Sequence, residues 1–80
     1  MPFARGAVFF KDRIEVWPGA RLASVDMWAA FQDFQRLRGM KGSISADDFY
    51  AICFRICSIK EITVRVRGNQ AFCLDVRLRA

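Results

Sequence analysis

Histidine is absent from this 80-residue chain, and cysteine occurs only three times. Without an imidazole no Cys-His or Ser-His nucleophile pair can form. The carboxylates that remain close in sequence, Asp47 and Asp48, are adjacent at a helix start, where capping accounts for them. No enzymatic activity is therefore expected. Cys53 and Cys57 stand four residues apart on one helix face, and Cys73 is a third thiol, but a tetrahedral zinc site wants four ligands. Neither a metal nor another cofactor is expected, and the thiols read as small core hydrophobes. Three cysteines cannot all pair within one chain and do not resemble the disulfide scaffold of a small secreted protein. Long apolar runs are missing too: segments such as Ala7-Val8-Phe9-Phe10 fall far short of the ~20 residues that span a bilayer. The N-terminus lacks the apolar region and small-residue cleavage site of a secretory signal, so a cytoplasmic location is expected.

What the chain does have is a core. Its composition is 54% hydrophobic with eight phenylalanines, enough for one packed domain over residues 1–80 but with little to spare for a deep cleft. Thirteen basic against eight acidic residues give a net charge of +5, which favours a polyanionic partner.

Residues 4–15 fit both strand alternation (Val8, Phe10, Ile14) and helical spacing (Ala7, Phe10, Ile14), and are read as a short helix. Trp17-Pro18-Gly19 signals a turn, and residues 20–23 allow only a stub of strand. Ser24 reads as an N-cap for a second helix that carries Met27, Trp28, Phe31, Phe34 and Leu37 and stops at Gly39. A third helix is expected over residues 45–58, started by Ser45 with Asp48 three residues on. Its stripe of Phe49, Ile52, Cys53 and Ile56, with Tyr50, Phe54 and Cys57 added, predicts burial on more than one side.

From Ile62 the period becomes two. Ile62, Val64 and Val66 alternate with Thr63, Arg65 and Arg67. After Gly68-Asn69-Gln70, a second run alternates Phe72, Leu74, Val76 and Leu78 with Cys73, Asp75, Arg77 and Arg79. This is a β-hairpin, with the apolar set expected to face the helices and Arg65, Arg67, Arg77 and Arg79 on the solvated face, interrupted by Asp75. The order of elements predicts an α+β fold of the winged-helix kind: three helices packed on a small antiparallel sheet, with a C-terminal β-hairpin wing.

The sequence resembles the winged-helix domain at the C-terminal end of many phage and plasmid primase–helicases. Phe10-Lys11-Asp12-Arg13, Pro18-Gly19-Ala20-Arg21-Leu22, the stretches Ser24 to Phe34 and Ser45 to Phe54, and Val76-Arg77-Leu78 carry the resemblance. In that family the domain is an appendage, and the present chain resembles the module alone, without a Walker-type loop. The resemblance implies a second helix at 24–38, a recognition helix at 45–58 and a wing at 64–74. The chain departs from a strong base reader in having Asp47 and Asp48 where the recognition helix begins and only Arg55 on its body.

The expected function is therefore that of a DNA-binding protein of a phage or mobile element, a replication accessory or small regulator, monomeric or homodimeric. It would contact double-stranded DNA mainly at phosphates, through Arg55, Lys60, Arg65, Arg67, Asn69, Gln70, Arg77 and Arg79. Arg38 and Lys41 could form a second patch. The same arginines are equally accounted for as a solvated, edge-protecting sheet face. Trp17, beside the turn, could stack on an unpaired base, although packing is its plainer role. The rival reading is a protein-interaction module, such as a phage-encoded inhibitor of a host complex, which the acidic start of the third helix supports.

Overall fold

A computed structural model describes residues 2–42 and 44–79, with only the backbone of Pro2. Ser43, in the connection between the second and third helices, lies outside the described residues. The elements run α1 (Pro2–Arg13), β1 (Ile14–Ala23), α2 (Ser24–Leu37), α3 (Ala46–Ile59), β2 (Val64–Arg67) and β3 (Gln70–Leu78). The fold is α+β: three helices and a three-stranded antiparallel sheet in the order β1-β3-β2.

Aromatic packing holds the helices together. Phe9 of α1, Phe31 and Phe34 of α2 and Phe49 of α3 are each at most 1% exposed. The Phe9 ring meets Phe31 edge-on at 5.3 Å, and Phe31 stacks on Phe49 at 4.4 Å, geometries that aromatic quadrupoles favour over a face-to-face sandwich. Close approach of α1 to α3 depends on Gly6, where an added Cβ would sit 2.6 Å from Ile52 Cγ2. Ile14, Leu22, Cys73 and Val76 carry the core onto the sheet.

Both long helix ends close in the same way. At α2 the amides of Gly39 and Met40 donate to the carbonyls of Arg36 and Gln35. At α3 those of Glu61 and Ile62 donate to Ser58 and Cys57. This paired pattern satisfies carbonyls that would otherwise be orphaned, with Gly39 and Glu61 in the left-handed conformation. Ser45 caps α3 as expected, its Oγ accepting from the Asp48 amide at 3.1 Å. Ser24 does not cap α2. It is the first helical residue, Ala23 occupies the cap position, and no side chain closes that end, because the chain enters the helix directly from strand β1.

The sheet departs from expectation in two linked places. Trp17-Pro18-Gly19 does not end in a turn before a stub. β1 runs through all ten residues from Ile14, with residues 17–20 bulging out opposite Asp75 alone between the pairs Val16↔Val76 and Arg21↔Leu74. Asp75 has φ +61°, and its Oδ1 accepts the Gly19 amide at 2.9 Å. A bulge residue in this conformation breaks strand alternation. Cys73 and Val76, three apart, both face the helices and are 2% exposed. Phe72 and Leu74, expected in the core, are turned to the opposite face, and Cys73, expected outside, is inside. Leu37, the last residue of α2, is likewise outside, 72% exposed. On α3 the second stripe is only half covered: Tyr50 is partly buried and Phe54 is exposed.

The hairpin loop has two residues, Gly68 and Asn69, between paired Arg67 and Gln70. Gly68, at φ +60°, takes the positive angle that a tight hairpin demands of its first central residue. Gln70 belongs to β3 rather than to the loop.

Asp75 tolerates its left-handed backbone because a short polar side chain can bond locally. Replacing it with Val should cost about 2–3 kcal/mol from backbone strain and the lost hydrogen bond. Asp75→Asn, which keeps an acceptor, should stay within about 1 kcal/mol. Urea unfolding of the two variants measures both.

Candidate nucleic-acid interface

The outer face of the sheet, turned away from the helices, carries two clusters of cations that differ in their neighbours. Near the hairpin tip, Arg21 of β1, Arg65 and Arg67 of β2, and Phe72 and Leu74 of β3 surround a cavity of about 320 Å³. Register explains the grouping. Arg65 pairs with Phe72, Arg21 with Leu74, and Arg67 with Gln70, and partners across an antiparallel ladder share a face. The Arg21 guanidinium lies over the Phe72 ring, 5.1 Å from its centroid, so the aromatic face helps to orient the charge. Asn69 and Gln70 are exposed at the tip beside this group. No carboxylate lines the cavity, and among the described residues no ion pair engages Arg21, Arg65 or Arg67.

Toward the chain ends the situation is reversed. Arg77 Nε donates to Glu15 Oε2 at 2.6 Å, and Arg79 Nη1 stands 3.7 Å from Glu15 Oε1. Arg77 also lies over the Trp17 ring at 3.4 Å from its centroid, which makes Trp17 a platform for a cation. Arg77 is on the outer face as expected, whereas Arg79, one residue past β3, also borders cavities against α1 and α2; one carboxylate already neutralises part of the charge of both.

Two of the expected residues lie elsewhere. Arg55 projects from α3 and its guanidinium sits 5.2 Å over the Phe3 ring on the α1 side. Lys60 closes α3 and lines, with Arg79, Lys11, Phe10 and Val76, a different cavity of about 500 Å³ beside α1. Of the expected second patch, Arg38 is ion-paired with Asp12 and lies over Phe34, which leaves the exposed Lys41 as its other member.

The chain, compared with known proteins, matches no family model, no curated protein and no solved structure. The site is therefore defined by its own geometry.

Sequence reasoning missed Arg21 and Glu15. Arg21 was legible once residues 20–23 were read as a strand, since alternation with buried Leu22 turns it outward. Glu15 was not, because the helix was expected to run through it, whereas β1 already begins at Ile14 and pairs Glu15 with Arg77.

The thiols occupy the core. Cys57 and Cys73 share a sulfur–sulfur hydrogen bond of 3.7 Å between α3 and β3. That bond draws Cys57 down and pushes Cys73 up, with burial raising both; burial above all pushes Cys53 well above the ordinary thiol value of 9.0. Among the described residues no group of three or more cysteines and acids could hold a metal ion.

A thiol raised in the folded state stabilises the fold fully below its unfolded value, and that stabilisation is lost as pH climbs through the folded value. For Cys53 the loss begins near pH 9.0. Stability should then fall by about 1.4 kcal/mol per pH unit for each such thiol. Urea midpoints between pH 8 and 10.5 should show this slope, and Cys53→Ala, although less stable at neutral pH, should make it shallower.

Proposed function

We propose that this chain is a winged-helix protein that holds duplex DNA by its phosphates, through the tip of its β2–β3 hairpin. The observation that carries the reading is the cluster of Arg21, Arg65 and Arg67 around an open concavity that contains no carboxylate. Guanidinium groups present donors in a fork that matches phosphate oxygens. Asn69 and Gln70 add neutral donors at the tip. The element order, with the first strand paired to the last and a hairpin closing the chain, is that of a winged helix and supports the same reading.

Contact is led by the wing. The outward side of α3 presents Asp47, Asp48, Ala51, Phe54 and Ser58, with Arg55 as its one cation. Base edges in the major groove are read by Arg, Lys, Asn or Gln, so this helix suits a groove poorly and binding is expected to be weakly sequence-specific. Phosphate contacts position a protein without reading bases. Such binding fits a replication accessory or small regulator of a phage or mobile element. The exposed apolar residues of α3 favour a second reading, contact with protein, and the two surfaces are separate enough to serve both.

Fluorescence anisotropy with a labelled duplex tests the first reading. Binding should weaken steeply with salt, with a log–log slope of about −3 for three phosphate contacts. Arg65→Ala with Arg67→Ala should make that slope shallower by about 2. Arg77→Ala should matter less, and Glu15→Gln should strengthen binding by releasing two arginines. Absence of binding at low salt rejects the proposal.

A further inference from the structure

The outward face of α3 has an arrangement that neither core packing nor nucleic-acid binding uses. Phe49, Cys53, Ile56 and Cys57 fill the buried side, and Asp47, Ala51, Phe54, Arg55 and Ser58 form the exposed strip, with exposed Asp48 at its margin. Phe54 is 40% exposed, and its ring stacks on that of Tyr50 at 6.5 Å, which extends the apolar surface toward α2. Arg55 is held beside the strip by the Phe3 ring. Charge along the strip is divided: acid in the first turn, small and apolar residues in the middle, base beyond.

The division is symmetric about Ala51. Asp47 lies four residues before it and Arg55 four residues after, each about 6 Å along the axis from Ala51 at the helical rise of 1.5 Å per residue. A second α3 laid antiparallel across the first, with the two-fold axis at Ala51, brings Asp47 of each copy to Arg55 of the other. A parallel arrangement would set Asp47 against Asp47. Ala51 at the crossing lets the backbones approach closely, Phe54 of each copy covers the flank, and the helix dipoles run in opposite senses.

We propose that α3 is a homodimer interface, in which two copies of this chain pair through antiparallel α3 helices centred on Ala51 with reciprocal Asp47–Arg55 ion pairs. The occupant is a second copy because the face is complementary to itself. Duplex DNA would meet carboxylates, and a uniformly acidic or basic partner would satisfy one half of the strip and be repelled by the other. Such an isologous contact, built on one helix from each side, is smaller than the ~800 Å² per partner of a standard interface, so association is reversible and strongly concentration-dependent. In the dimer α3 is covered, while both hairpins stay open on the sheet faces. Pairing is therefore independent of DNA binding.

Sedimentation equilibrium of the full chain, carried from low micromolar to submillimolar concentration, reads the association directly. The native chain should dimerise. Asp47→Arg sets like charges together twice in its own dimer, as does Arg55→Asp, and each should weaken self-association by at least about tenfold. An equimolar mixture of the two variants is complementary at both pairs and should form a mixed dimer with affinity within about threefold of the native one. Since a misfolded variant could not be rescued by a second variant, the mixture separates a lost contact from a lost fold. Arg65→Ala with Arg67→Ala should leave association unchanged, whatever it does to DNA. A native chain monomeric throughout overturns the proposal. So does a dimer indifferent to either charge reversal, or a mixture that fails to recover.

Discussion

Much of this molecule depends on the hydrogen bond from the Gly19 amide to the Asp75 carboxylate, and on the left-handed backbone of Asp75 that accompanies it. The single bulge advances the alternation of β3 by one residue. Cys73 and Val76 can then both point at the helices, where Leu22 and Ile14 from β1 meet them. The same step turns Phe72 and Leu74 outward, beside Arg21 and Arg65. In a regular strand Phe72, Leu74, Val76 and Leu78 would all have faced the helices, whereas the bulge divides them, with Val76 inside and Phe72 and Leu74 outside. The bulge gives the outer face an apolar floor for its cations, and the Phe72 ring steadies Arg21.

Charge is distributed with a consequence for any polyanion. Of the basic residues on the outer sheet face, those near the chain ends are held by Glu15, and those near the hairpin tip have no carboxylate beside them. An exposed or half-exposed ion pair adds at most about 1 kcal/mol to stability, so the importance of Glu15 lies more in restricting where the sheet is positive. The helix expected to enter a groove carries its acids at the end that would approach phosphate. These facts together move the positive surface from α3 to the hairpin, and they leave α3 with a mixed face suited to protein.

The sequence conveyed a good deal, in particular places. Alternation of Val64, Val66, Arg65 and Arg67 around Gly68-Asn69 marked the hairpin, and Ser45 with Asp48 marked the start of α3 to within a residue. Met27, Phe31 and Phe34 were identifiable as core by their spacing alone. The strand at residues 17–20 is hidden in the sequence because Trp17-Pro18-Gly19 has the composition of a turn, and a bulge in mid-strand uses the same residue types to depart locally from straight strand geometry. Arg55 and Lys60 were grouped with the hairpin arginines by nearness in sequence, yet α3 carries them to other surfaces.

Local patterning by itself determined the three helices and the closing hairpin, that the core is aromatic, and that the hairpin arginines face water, because periodicity and burial are properties of neighbouring residues. Which cations stand together was decided by tertiary structure alone. Arg21 joins Arg65 and Arg67, and Glu15 reaches Arg77 and Arg79, only through pairing of a first strand with a last one across more than fifty residues of chain. That pairing fixes the register, and the register is set by a bulge whose two halves, Gly19 and Asp75, have no meaning until they meet.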